Sequence, residues 1–324
     1  MNAEAKNNLH KYEDAFASLR VGRCGGHDRP HKPLMLLAVM DLVESGRISE
    51  NKIHYEPELL ERFKAYFDLV KSQDDSLTPL LPFFFLRGDK FWHHKPRQGQ
   101  EPVYAALSDP GGRAKFLDII DYTYLDEDLF HLLQNPETRD RLRETLIRRY
   151  FPSHRTAIDA CINKERPIAQ YEEFLRKKVV SKAAEAETPF APEAARDVAF
   201  SRVVRAAYDF RCAACGLRVY LDDGTILVDA AHLVPFSVTG DNDPRNGMAL
   251  CKNHHWAMDR NLIVPAISGS RHLWKVSKDL EPRIEGQKDL LMLDGVGVLM
   301  PKDKRYYPKT ESLKWRMDHL RGCA

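Results

Sequence analysis

No run of apolar residues approaches the ~20 that a membrane-spanning helix needs. The opening segment, MNAEAKNNLHKYEDAF, lacks the apolar stretch of a secretory signal. Cysteine is scarce, six in 324 residues. Without a secretion signal that does not suggest a disulfide scaffold; it suggests reduced thiols, some gathered at a metal. There is no internal repeat and no low-complexity tract, which sets aside solenoids and arrays. Nor is there an excess of either charge: the net value of +2 does not by itself announce a nucleic-acid binder. These absences predict a cytoplasmic protein with no membrane partner.

What is present describes a globular chain. A hydrophobic fraction of 43% and a charged fraction of 30% belong to folded proteins rather than disordered ones, and the length allows two domains of ordinary size. Charge is unevenly placed. RVGRCGGHDRPHK (Arg20 to Lys32), HHKPRQG (His93 to Gly99) and RRYFPSHR (Arg148 to Arg155) are locally basic. A protein that touches phosphates over one face needs only such patches, although solvated surface is the simpler reading of any one of them.

Periodicity and punctuation predict an α+β fold. Residues 10–45 read as helix, a Gly-rich break, then the helix HKPLMLLAVMDLVE, which has a proline in its first turn and Gly46 just beyond its end. Another helix is expected over Glu56–Val70. LPFFFLRGDKFWHH suggests a hairpin: an aromatic strand, a Gly-Asp turn and an aromatic return. Two helices follow, split at Asn135-Pro136. Residues 1–163 thus form a mixed helix and hairpin domain. Residues 164–196, rich in Ala, Glu and Lys, read as a helix running into a linker. Residues 197–324 form the second domain, with short strands after Leu262 and a last helix at ESLKWRMDHL.

The chemistry concentrates in that second domain. Cys212-x-x-Cys215 precedes Gly216, and Cys251-x-x-His254 sits where a strand reaches a helix. Two such pairs supply three thiolates and an imidazole, the donor set of a tetrahedral structural Zn²⁺ site. Cys24, Cys161 and Cys323 lack partners at ligand spacing and read as free thiols. His255 follows His254 directly, so on a helix it faces elsewhere. Asp259, four residues on, shares its face. Such a pair can hold a hard divalent cation, or can simply be hydrogen-bonded on the helix surface. Arg245, Lys252 and Arg260 flank this cluster, either as phosphate contacts or as ordinary surface charge.

The order AAH(232)…N(246)G…C(251)xxHH(255) resembles the HNH, or ββα-metal, nucleases, particularly restriction-type members with a zinc knuckle. The resemblance covers about residues 205–265. It implies that His232, on a strand, is the general base on water, that Asn246 organises the connecting loop, and that His255 holds a catalytic Mg²⁺ or Mn²⁺, with Asp259 where some members place a second helix ligand. One departure stands out. Many members carry a metal ligand immediately before the base, where this chain has Ala231. Asp229 shares that strand face and reaches the site only if the strand bends. The cation is then held by His255 and Asp259, or by His255 with DNA phosphate and water.

RPHKPLMLL (Arg29 to Leu37) and LPFFFLRGDKFWHH (Leu81 to His94) resemble the reading domains of modification-dependent HNH restriction endonucleases, including those that bind phosphorothioated DNA. The resemblance implies Arg29, His31 and Lys32 on DNA, with Pro82 and Phe83 forming an apolar pocket for sulfur. A non-bridging sulfur is softer and less hydrated than oxygen, so an apolar wall with cationic neighbours can discriminate it. The expected activity is metal-dependent hydrolysis of double-stranded DNA carrying a phosphorothioate or a modified cytosine. A double-strand cut needs two active sites or two visits, which makes a homodimer attractive. The competing readings are a zinc-stabilised DNA-binding protein that does not cut, for which Ala231 argues, and an RNA- or structure-specific nuclease of repair or mobile elements.

Overall fold

The computed structural model describes residues 3–24, 26–180 and 189–322. Cys323, the Cys24 side chain and residues 181–188 of the expected linker lie outside the described residues. The chain divides into two compact units, residues 1–169 with 221–225, and residues 170–220 with 226–324.

The first unit runs α1 (Ala3–Ala17), a short hairpin of β1 (Arg23–Cys24) and β2 (His27–Asp28), α2 (His31–Glu44), α3 (Pro57–Val70), α4 (Leu80–Phe85), β3 (Trp92–Pro96), α5 (Glu101–Ala105), α6 (Arg113–Ile119), β4 (Ile120–Leu125), α7 (Glu127–Gln134), α8 (Pro136–Tyr150) and the start of α9 (Arg155–Val180). α2 is apolar nearly all round, as a central helix must be; α3, α4, α7 and α8 pack around it. Asn135 separates α7 from α8, its Oδ1 accepting from the Glu137 and Thr138 amides at 3.0 and 3.2 Å. That satisfies two of the free N–H groups a helix start leaves. Charge also enters this core. Arg143, 3% exposed, reaches Asp41 at 3.3 Å and Glu44 at 2.6 Å, the pairing a buried guanidinium requires.

The expected aromatic hairpin is not formed. Residues 80–85 are helical, and the return strand β3 pairs instead with β4, Trp92 opposite Leu125. Pro79 and Pro82 pre-set the backbone for a first helical turn, and Phe83, Phe84 and Phe85 do not alternate in burial as strand residues would. The two aromatic segments still meet. Trp92 Nε1 donates to the Phe83 carbonyl at 2.8 Å, and His94 Nε2 bonds the same oxygen at 3.1 Å.

The second unit holds the rest of α9, then α10 (Glu193–Ala207), β5 (Val228–His232), α11 (Phe236–Thr239), β6 (Gly247–Cys251), α12 (Lys252–Asp259), β7 (Ile263–Ser268), β8 (Arg271–Val276), α13 (Lys288–Leu291) and α14 (Thr310–Asp318). Of the short strands expected after Leu262, β7 and β8 form, and further on there is the short α13 and a single bridge from Gly297 to Leu273. β5 and β6 form a regular antiparallel ladder from Val228↔Cys251 to His232↔Gly247. α12 follows β6 without a break, α10 packs on the ladder, and α14 packs on β7.

Candidate functional site

Cys212 and Cys215 lie on a tight turn closed by Gly216, whose φ of 74° suits a residue without Cβ. The turn is fastened to the ladder, since Ala213 N donates to the Ala249 carbonyl at 2.8 Å. Its approach is strained: Asp209 and Phe210 both have positive φ, 53° and 55°. Burial of Phe210 (1% exposed) and the Arg218 side chain, which donates to the Asp209 carbonyl at 2.9 Å, hold that conformation. Cys251 ends β6 and His254 opens α12. The four ligand atoms lie within 4.8 Å of one another, with His254 Nδ1 3.0 Å from Cys251 Sγ and 3.5 Å from Cys212 Sγ. Burial pushes the Cys215 thiol up to about 12, and Cys212 and Cys251 beside it add to the shift. A cation at the centre of the cluster would draw Cys215 to thiolate. The donor set fits a tetrahedral metal ion.

At the opposite end of the ladder from Cys251, the β-strand carries the other chemistry. His232, the last residue of β5, is half-buried, its ring lying flat on Phe200 of α10 (centroids 4.0 Å apart, 6° between planes). Its Nε2 is 3.0 Å from Asn242 Oδ1. Burial holds its pKa below the ordinary histidine value, with the Asn242 hydrogen bond pulling the other way, so the ring is neutral at pH 7 and free to accept a proton. Asn246, 1% exposed, closes the intervening loop: its Oδ1 accepts from Val234 N at 2.9 Å, and its Nδ2 donates to the carbonyls of Val234 and Asp241 at 3.0 and 3.1 Å. Gly247 stands opposite His232 in the ladder. A Cβ there would sit 2.5 Å from Val204 and 2.8 Å from Phe200, so the bare backbone is what lets α10 lie against the strand with Phe200 on the imidazole.

His255 lies between two carboxylates. Asp229 Oδ2 is 3.6 Å from its Nδ1 and Asp259 Oδ2 is 3.5 Å from its Nε2. Asp229 needs no bend in the strand to reach it. The ladder is regular from Val228 onward, and the first turns of α12 bring His255 to it. The two carboxylates address opposite ring nitrogens, and Lys252 already pairs with Asp229. Ala231 is fully buried. Arg245 is paired with Asp243 at 2.7 Å, so of the three flanking cations only Arg260 lacks a carboxylate partner among the described residues.

Arg316, on α14, stands at no motif spacing and was not anticipated. It is 2% exposed and donates to the His232 carbonyl at 2.8 Å, the Met258 carbonyl at 3.0 Å and Asn261 Oδ1 at 3.0 Å; Asp259 Oδ1 is 3.9 Å away. One guanidinium therefore ties the end of β5 to the end of α12. Asn242 and Phe200 were equally unforeseen, because neither stands at a motif spacing.

In the first unit a cavity of about 460 Å³ is lined by Arg29, His31, Lys32 and Pro82 together with Arg20, Leu81 and Phe85, among others. Phe83 does not line it. That ring is 1% exposed and sits edge-on to Trp92 and Phe116; Leu81 and Phe85 supply the apolar wall in its place. Lys32 is neutralised by Asp89 at 2.5 Å and His31 Nε2 bonds the Ser76 carbonyl at 2.8 Å. The guanidinium groups of Arg20 and Arg29 lack carboxylate partners among the described residues and are the cations left for an anionic ligand.

Residues 212–264 match the HNH endonuclease family, and residues 10–158 match the ScoMcrA-like DNA sulfur-binding domain. The chain thus carries an HNH nuclease domain, a phosphodiester hydrolase that depends on a metal, joined to a domain that binds DNA. No curated protein matches the chain. Among solved structures, a modification-dependent TagI restriction endonuclease aligns at 15% identity with a TM-score of 0.28, over 44% of this chain and 42% of that one. Among the described residues no helix is long and apolar enough to cross a membrane.

Proposed function

We propose that this chain is a modification-dependent restriction endonuclease, in which the first unit reads a phosphorothioate on double-stranded DNA and the second cuts. One observation carries the reading. A neutral, half-buried imidazole at a strand end and a second imidazole flanked by Asp229 and Asp259 stand on one ββα element. In the first unit, the apolar wall of Leu81, Pro82 and Phe85 beside unpaired Arg20 and Arg29 suits a soft anion that keeps its negative charge but sheds water easily.

His255 and Asp259 would hold Mg²⁺ or Mn²⁺, with Asp229 in reach of the other nitrogen of His255. When bound, that cation supplies Lewis-acid stabilisation of the scissile phosphate and the leaving 3′ oxygen. His232 takes the proton of the attacking water. Asn246 keeps the loop after His232 closed, and Arg316 fixes the backbone of His232 relative to α12. The Cys212, Cys215, Cys251 and His254 set would hold Zn²⁺ in a closed structural role. Two copies, or two visits by one, would cut both strands.

The test is cleavage of matched duplexes, plain, cytosine-modified and phosphorothioated, in Mg²⁺ and in Mn²⁺. Wild type should cut the phosphorothioated duplex and His232→Ala should bind it without cutting. Equal cutting of all three duplexes would overturn the proposed modification, and full activity in His232→Ala would overturn the base assignment.

A further inference from the structure

His232 is held in two independent ways. Phe200 fixes the plane of the ring, and Asn242 fixes which way the ring is turned within that plane. Asn242 is itself 5% exposed, and Tyr171 of α9 is hydrogen-bonded to the same amide, so the side chain is held from both sides. A buried amide must find partners for its polar atoms, and the imidazole nitrogen is the one its Oδ1 takes.

We infer that Asn242 is a positioning residue for the general base: its Oδ1 accepts the Nε2 proton of His232 and so leaves Nδ1 as the nitrogen that receives the proton from water. The inference rests on the reading of His232 as base. In the neutral ring one nitrogen is a donor and the other an acceptor, so an acceptor 3.0 Å from Nε2 selects the tautomer with a lone pair on Nδ1. In the step itself a water proton moves to Nδ1 while the water oxygen bonds to phosphorus, and the P–O3′ bond breaks with its electron pair leaving on O3′, which takes a proton from solvent. The resulting imidazolium keeps its Nε2–H on the Asn242 oxygen and later returns the Nδ1 proton to solvent. The same contact thus serves both protonation states, in the way a second group orients a catalytic histidine elsewhere.

Other groups face this ring. Asp197 of α10 and Asp241 of the loop favour the imidazolium, while burial and His255 of α12 oppose it. Asp241 is partly neutralised by Lys309 at 2.7 Å and by Lys178 at 3.8 Å, and Arg316 sits on the backbone carbonyl of His232. Asn242 is the neutral member in direct contact, so changing its charge alters the base with least disturbance to the rest.

The experiment is the pH profile of single-turnover cleavage of a phosphorothioated duplex at fixed saturating Mg²⁺. Asn242→Asp places a carboxylate on Nε2–H and should move the acid limb up by about 1 pH unit or more. Asn242→Ala should move the limb down and lower the plateau roughly 10- to 100-fold, less than the loss of the whole 10²–10⁴ that general base catalysis supplies. A purely structural residue would lower both plateaus and leave the limb in place, and that result overturns the inference. An inactive His232→Ala with unmoved limbs in both Asn242 variants sinks this inference alone; an active His232→Ala sinks the base reading beneath it. Should neither variant fold, ¹⁵N shifts of His232 in the wild-type protein decide the matter: Nε2–H is expected, and Nδ1–H refutes.

Discussion

Gly247→Ala is a small perturbation with a calculable result. The added methyl would lie 2.5 Å from Val204 Cγ2, 2.8 Å from Phe200 Cζ and 3.1 Å from Phe200 Cε2, where carbon contacts normally rest at about 3.5–4.0 Å. Overlap of about 1 Å must be relieved by side chains with little freedom. Val204 and Phe200 are 0% and 2% exposed, and a β-branched valine on a helix is confined to one rotamer. Over-packing of this kind costs about 1–3 kcal/mol, equivalent to roughly 3–10 °C in Tm for a unit of this size. Cleavage should fall further than stability, because Phe200 can yield only by leaving the face of His232. Val204→Ala removes the atom in closest conflict, so Val204→Ala/Gly247→Ala should be more stable than the sum of the single losses by about 1 kcal/mol. Thermal melts of the four proteins, with cleavage measured well below every midpoint, test the argument. An unchanged Tm in Gly247→Ala, or strict additivity in the double variant, would refute it.

Cys212→Ser or a strong chelator should unfold the second unit, since structural zinc contributes on the order of 10 kcal/mol in small metal-bound domains; metal analysis should return one tightly held ion per chain, and an unaltered melt would remove the metal from the account. His94 is held at about 4 by burial, below its ordinary value near 6.5. Its neutral form therefore stabilises the first unit by about 3 kcal/mol above pH 6.5, and that stability drains away as pH falls toward 4; acid titration of His94→Gln should show a shallower fall in Tm than wild type, and parallel curves would discount the residue. Phe85→Ala should weaken discrimination between phosphorothioated and plain duplex with little change in Tm, whereas Phe83→Ala should cost about 3–5 kcal/mol of stability; the reverse pattern would return Phe83 to the cavity wall. Arg316→Met should leave the zinc content intact but reduce cleavage at least tenfold and weaken Mg²⁺ dependence at Asp259; wild-type kinetics would show that its three hydrogen bonds do not matter.

What could be read from the sequence was what the chain encodes over short distances. CxxC and CxxH are local spacings, and the four ligands they nominate converge in the fold. Asn135-Pro136 is a helix start written in two letters. Failures came where the outcome depended on long-range packing. Three consecutive phenylalanines suit a strand or a buried helix equally, and the choice fell to prolines at 79 and 82 and to a strand partner at 120–125. The same ambiguity placed Phe83 at the cavity, whereas helical spacing turns Phe85 there and sends Phe83 into the core. Asp229 was judged by strand alternation alone, without the helix that returns to it. Phe200, Asn242 and Arg316 reach His232 from three separate segments, and no periodicity announces a partner 84 positions away, as Arg316 is.

That separation orders events in time. Chains are made from the N-terminus, so residues 10–158, which match the DNA-binding family, emerge first, and His232 and His255 follow. The guanidinium that clamps the end of β5 to α12 is synthesised only after both. A nascent or truncated product can therefore find DNA before it can cut it, and ending the chain before Thr310 should yield a protein that binds duplex but does not cleave. For the nuclease proposed above, a late-arriving clamp is a safeguard written into the order of the chain.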